Sequence, residues 1–82
     1  MIVIELQGDM DSDAIAVEEV TPAVKSALDR VESEGYGFRL LPPDSPILAE
    51  FIATYGYDPS DRVFPESEAI AFIRDEWLPQ PT

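Results

Sequence analysis

The order of strands and helices in this chain depends on residues 21–35, TPAVKSALDRVESEG. Proline disfavours the helical conformation for the residue before it and is common at the first position of a helix, so Thr21 is expected to cap a helix that begins at Pro22. Gly35 supplies a C-terminal stop. The apolar residues between them recur at i, i+3, i+4 and i+7: Val24, Ala27, Leu28 and Val31. This pattern predicts a helix over residues 22–34.

The segment before this helix is short, and its length alone allows either a strand or the beginning of a helix. Because Pro22 starts a new helix, residues 14–19 (AIAVEE) are predicted to be the returning strand of a hairpin. The first strand of that hairpin is the β-branched run IVIEL at residues 2–6, followed by a cluster of turn-forming residues. One longer helix, kinked at Pro22, is the alternative.

Two further helices are predicted downstream. Ser45-Pro46 repeats the capping pattern of Thr21-Pro22, and an apolar stripe continues from it to Gly56. The acids at residues 66–68 are well placed at the positive end of a third helix, which the prolines after residue 78 stop.

A third strand is predicted between the first two helices, at residues 38–41 (FRLL), where two prolines end it. The resulting order, β-β-α-β-α-α, indicates a small α+β domain. We expect a three-stranded sheet, antiparallel or mixed, covered on one face by three helices, with Leu28, Phe51 and Ile73 in the core. A chain of 82 residues fits one domain, residues 1–78, with a frayed tail at residues 79–82.

Cysteine and histidine are both absent from the chain. Disulfides, thiolate zinc sites and every catalytic arrangement based on a Ser-His or Cys-His pair are therefore excluded. The sequence predicts neither an enzyme nor a cofactor.

Three alternating acids, Asp9, Asp11 and Asp13, resemble the opening of a calcium-binding loop. The sixth position of that pattern is Ala14 instead of glycine, and the twelfth is Val20 instead of glutamate. We therefore interpret the segment as a solvated turn and predict no metal site. The remaining carboxylate pairs lie in no catalytic motif: Glu18/Glu19, Glu66/Glu68 and Asp75/Glu76.

The N-terminal apolar run has no basic residues before it and is far shorter than the core of a signal peptide. No stretch of the sequence approaches the length of a membrane span. The expected location is the cytoplasm, without a membrane partner.

Charge is the feature that bears most directly on function. Seventeen acidic residues against five basic ones give a formal net charge of -12, which argues against direct binding to nucleic acids and favours a protein partner with a basic surface. In size and charge alone the chain resembles small phage-encoded inhibitors of restriction, CRISPR or transcription enzymes, which mimic nucleic acid. The alternatives are an adaptor or accessory subunit of a complex, and an acidity that only reflects solubility or adaptation to high salt.

Mimicry requires the acids to cluster on one face, and the sequence offers two candidate surfaces. The first is the turn at Asp9, Asp11 and Asp13 together with Glu18 and Glu19. The second, which we select as the predicted binding surface, adds two loop aromatics to six acids: Tyr57, Phe64, Asp58, Asp61, Glu66, Glu68, Asp75 and Glu76. A homodimer is also compatible with so small a core.

Overall fold

The computed structural model describes residues 1–7 and 12–78. The predicted turn residues 8–11 and the predicted tail at residues 79–82 lie outside the described residues. The strands are β1 (Ile2–Gln7), β2 (Ser12–Val17), β3 (Gly37–Leu41) and β4 (Val63–Phe64). The helices are α1 (Pro22–Ser33), α2 (Pro46–Tyr55) and α3 (Glu66–Phe72), which continues into a π-helical turn (Ile73–Trp77); a 3₁₀ turn (Pro59–Asp61) precedes β4.

The helix caps form as the sequence predicts. Thr21 Oγ1 accepts a hydrogen bond from the backbone N–H of Val24 at 3.3 Å, and Ser45 Oγ accepts one from Ile47 at 3.2 Å. Gly56 ends α2 in the left-handed conformation, with φ of 77°, where a side chain would be strained. Because residues 12–17 form a strand, the alternative of one kinked helix before and after Pro22 is wrong.

The predicted α+β class is confirmed, but the sheet is mixed and has four strands in the order β3-β1-β2-β4. β1 pairs antiparallel with β2 and with β3, whereas β4 pairs parallel with β2. The prediction of three strands is wrong because it omits β4, which contains only Val63 and Phe64. Two residues are too short to show the alternation by which a strand is recognised.

The helices cover both faces of the sheet, so the prediction that all three lie on one face is also wrong. Ile4 and Ile15 pack with α1 and α3 on one face, while Val3 and Ala16 pack with α2 on the other. Val3 and Ile4 are adjacent and both fully buried, and a strand that is apolar on both sides needs cover on both. The predicted core residues are confirmed as buried: Leu28, Phe51 and Ile73.

The α2 face also contains a buried charge. Glu5, in the middle of β1, is 4% exposed, and the guanidinium of Arg39 on β3 binds its carboxylate, with Nε donating at 2.8 Å. Since a buried carboxylate is costly without a partner, this ion pair is a structural element of the sheet. Within the described residues, none of the helices has the length and apolarity needed to cross a membrane.

Candidate protein-binding cleft

The parallel pairing of β2 and β4 brings two distant segments together. Val17 lies opposite Phe64 at the carboxyl ends of these strands. The chain therefore leaves both strands at the same end of the sheet. Glu18 and Glu19 follow β2 there, and Glu66 follows β4. More than 40 positions of sequence separate the two segments.

These segments line a cleft of about 330 Å³, which we name the acidic cleft. Its apolar lining consists of Val17, Phe64 and Pro65. The polar lining comes from Thr21 and from three exposed carboxylates, Glu18, Glu19 and Glu66. None of these three glutamates belongs to an ion pair among residues 1–7 and 12–78.

Phe64 is held in place by its own neighbours. Its ring meets that of Phe72 edge-on, with 5.4 Å between the centroids. The guanidinium carbon of Arg62 lies 4.4 Å from the centroid of Phe64, a cation-π distance, and Arg62 Nη2 is 3.4 Å from a carboxylate oxygen of Glu68. The ring beside the cleft thus already contacts one guanidinium from this chain.

At the opposite end of β2, the carboxylate of Asp13 accepts hydrogen bonds from within the protein. Asp13 accepts hydrogen bonds from the indole Nε1 of Trp77 at 3.0 Å and from the Tyr57 hydroxyl at 3.3 Å. Tyr57 packs edge-on against Phe51, while Trp77 belongs to the core on the other face of the sheet. Partial burial, with the negative charge of Asp13, raises the pKa of Tyr57. We name Asp13, Tyr57 and Trp77 the closed end.

The described residues of the first predicted surface, Asp13, Glu18 and Glu19, do not form one cluster. Asp9 and Asp11 lie outside the described residues. Asp13 and Glu18 stand at opposite ends of β2, about 17 Å apart along a strand that rises about 3.4 Å per residue. Of this surface, Glu18 and Glu19 join the acidic cleft, and Asp13 belongs to the closed end.

The second predicted surface is spread along the whole length of β2. Glu66 lines the cleft and Glu68 lies two residues further along α3. Asp75 and Glu76 lie at the far end of the helix. At a rise of about 1.5 Å per residue, Glu76 is about 15 Å from Glu66 along the helix axis. Phe64 lines the cleft, and Tyr57 belongs to the closed end.

The two remaining acids of that surface lie at the 3₁₀ turn. Asp58 caps this turn by accepting from the backbone N–H and the hydroxyl of Ser60, at 2.9 and 2.6 Å, and these hydrogen bonds lower the pKa of Asp58. Asp61 is exposed in the same turn. Asp58 therefore has a local structural role in addition to its charge.

A second cleft, of about 190 Å³, lies between α2 and the β1–β3 pair. Its lining includes Glu5, Arg39, Glu50 and Tyr55. Because its buried carboxylate, Glu5, is already neutralised by Arg39, this cleft presents less uncompensated charge than the acidic cleft.

The sequence alone does not reveal that Glu18 and Glu19 share a cleft with Glu66. This grouping depends on the pairing of β2 with β4, and a strand of two residues is too short to be recognised from the sequence. Within the described part of the chain, no group of three or more acids could hold a metal ion. In comparisons with known proteins, no family model matches this chain, and neither curated proteins nor solved structures give a match.

Proposed function

We propose that this protein is an acidic protein-binding module, an inhibitor that occupies the basic nucleic-acid-binding surface of a DNA- or RNA-handling protein. The observation that carries the proposal is the acidic cleft, which is lined by apolar residues and by three carboxylates without ion-pair partners among the described residues. Such a protein acts in the cytoplasm by covering a surface, without catalysis or a cofactor.

Clustering matters because the average charge density is low. Twelve net negative charges over an accessible surface of 5110 Å² give about one charge per 430 Å². Duplex DNA has a far higher charge density, with one charge per about 1.7 Å of helix axis. A local group of carboxylates is therefore needed to compete for a basic groove, and the overall charge then accelerates the encounter.

Exposed aromatic residues favour a second candidate function, an adaptor or accessory subunit. Tyr55 and Tyr57 are each 43% exposed and both contact Phe51, so they present aromatic surface beside the C-terminal end of α2. Desolvated aromatic anchors commonly dominate the energy of protein interfaces. In this case the acids would serve solubility, and nucleic acid would not displace the partner.

The test is capture of partners from a nuclease-treated lysate of the source cells at low salt, with immobilised wild-type protein as bait. We expect retention of a nucleic-acid-binding protein that added duplex DNA or RNA releases. Retention of partners that neither salt nor nucleic acid releases would contradict the inhibitor proposal and support the adaptor. An empty capture would contradict both.

Two variant baits locate the binding surface. The cleft variant carries Glu18→Gln, Glu19→Gln and Glu66→Gln, and the control variant carries Glu32→Gln, Glu34→Gln and Glu50→Gln at exposed positions outside the acidic cleft. Both lose three negative charges, so any difference between them reports position. We expect the cleft variant to bind about tenfold more weakly than the control, since exposed ion pairs contribute about 0.2–1 kcal/mol each. Equal affinities would show that the cleft is not the binding site.

A further inference from the structure

We propose that the acidic cleft binds an arginine side chain of the partner, in preference to lysine. This inference rests on the proposed function and specifies the chemistry of the partner. It follows from charge complementarity combined with the lining of the cleft, which includes apolar residues and three exposed carboxylates.

The apolar lining of the cleft suits the stem of a long basic side chain. Val17 is only 1% exposed, so Phe64 and Pro65 offer the apolar contact for methylene groups, which basic side chains bury while their charged heads stay polar. At about 330 Å³ the cleft is near the lower limit of ligand pockets, which span roughly 300–1,000 Å³. It therefore fits one side chain better than a folded segment.

The carboxylates and the ring together favour arginine. A guanidinium has five N–H donors in a planar fork, so it can bind more than one carboxylate at once, and it stacks on aromatic rings. An ammonium group is a compact, strongly hydrated point charge and gains less from either contact. Glu18, Glu19 and Glu66 provide several acceptors from two separate segments.

Arg62 shows the same chemistry within the chain. Its guanidinium lies over Phe64 at 4.4 Å and pairs with the carboxylate of Glu68 at 3.4 Å. The side chain of Arg62 is 71% exposed, so this arrangement lies at the surface without burial. The edge of the sheet at Phe64 thus already combines an aromatic ring and a carboxylate around a guanidinium.

The test is an NMR titration of the ¹⁵N-labelled protein with three short peptides, acetyl-Gly-Xaa-Gly-amide, where Xaa is arginine, lysine or citrulline. Citrulline keeps the shape of arginine without its charge. We expect the arginine peptide to shift the amides of Glu18, Glu19, Phe64 and Glu66, with a dissociation constant at least threefold lower than that of the lysine peptide. The citrulline peptide should give no saturable shifts.

Two variants separate the contributions of charge and ring. Glu66→Gln should weaken binding of the arginine peptide severalfold. The control Glu50→Gln, on α2, should leave the affinity for this peptide unchanged. Phe64→Leu keeps an apolar residue without the ring, and it should reduce the preference for arginine over lysine. If Phe64→Leu disturbs packing against Phe72, the Glu66→Gln variant still tests the contribution of charge to binding.

Equal binding of arginine and lysine peptides to wild-type protein, or shifts spread over acids outside the cleft, would overturn the inference. The proposed function has a separate criterion, release of the captured partner by nucleic acid. A partner that DNA or RNA releases, together with no arginine preference in the cleft, would contradict this inference alone. Failure of the capture with a clear arginine preference would contradict the proposed function alone.

Discussion

The two ends of β2 use similar acidic side chains in opposite ways. At the closed end, Asp13 accepts hydrogen bonds from Trp77 and Tyr57 and thereby connects elements from both faces of the sheet. At the other end, Glu18 and Glu19 are exposed beside Glu66 and have no ion-pair partner among the described residues. Of these two groups, the cleft acids have no ion-pair partner within residues 1–7 and 12–78, so their charge is available for another molecule.

This difference shows that acid count is a poor guide to a binding surface. A carboxylate that satisfies a buried donor contributes to stability, and its replacement leaves that donor without a partner. A carboxylate on an exposed rim contributes little to stability and much to long-range attraction. Substitutions at the two ends should therefore separate stability from binding.

The largest effect on stability is expected at the closed end. Asp13→Ala removes the acceptor for Trp77 Nε1, and the Trp77 side chain is 5% exposed, so the indole N–H loses its partner in a buried place. The free energy of unfolding should fall by about 1–3 kcal/mol. Urea denaturation measures it, with Asp61→Ala, an exposed acid, as the control. Equal stabilities of these two variants would show that the closed end is not held by Asp13.

A smaller effect at the same end depends on pH. Burial and Asp13 raise the pKa of Tyr57 above its ordinary value of 10.0, so the neutral phenol is favoured in the folded state. The stabilisation is fully present below the unfolded pKa and is lost as pH rises through the higher folded pKa. Tyr57→Phe should therefore lose less stability than wild type between about pH 8 and about pH 11.

Melting temperatures across this alkaline range test the pH effect. Tyr36→Phe is the matched control, since Tyr36 is an exposed tyrosine outside the closed end. We expect the melting temperatures of this control to follow the wild-type curve. Parallel curves for wild type and Tyr57→Phe would contradict the assignment of the alkaline loss to Tyr57.

The smallest effect on stability is expected at the acidic cleft. Glu18→Gln, Glu19→Gln and Glu66→Gln together should change the free energy of unfolding by no more than about 0.5 kcal/mol, as exposed substitutions do. Relief of repulsion should make the variant relatively more stable at low salt than at high salt, because salt screens exposed charges. A large destabilisation at both salt concentrations would show that these carboxylates are structural.

Local signals in the sequence predicted the helices well. The caps at Thr21-Pro22 and Ser45-Pro46 and the stop at Gly56 depend only on neighbouring residues, so they could be read without tertiary information. Burial of both faces of β1 had a signal in the unbroken run Ile2-Val3-Ile4, which lacks the alternation of a half-exposed strand.

The candidate site could be predicted only in part, because its geometry depends on pairing between distant segments. Glu66 and Phe64 were selected from the loop and helix that contain them, but the cleft forms only when β4 pairs in parallel with β2. The role of Asp13 likewise depends on Trp77, 64 positions away in the sequence. No local pattern encodes either contact.

The most direct test of the account is hydrogen–deuterium exchange of the protein, free and in complex with the partner captured by the wild-type bait. We expect the partner to slow exchange at residues 17–21 and 63–68, around the acidic cleft. Residues 12–14 and Tyr57, at the closed end, should exchange at the same rates in both states. Protection confined to the closed end, with unchanged exchange around the cleft, would contradict the claim that the cleft is the binding site.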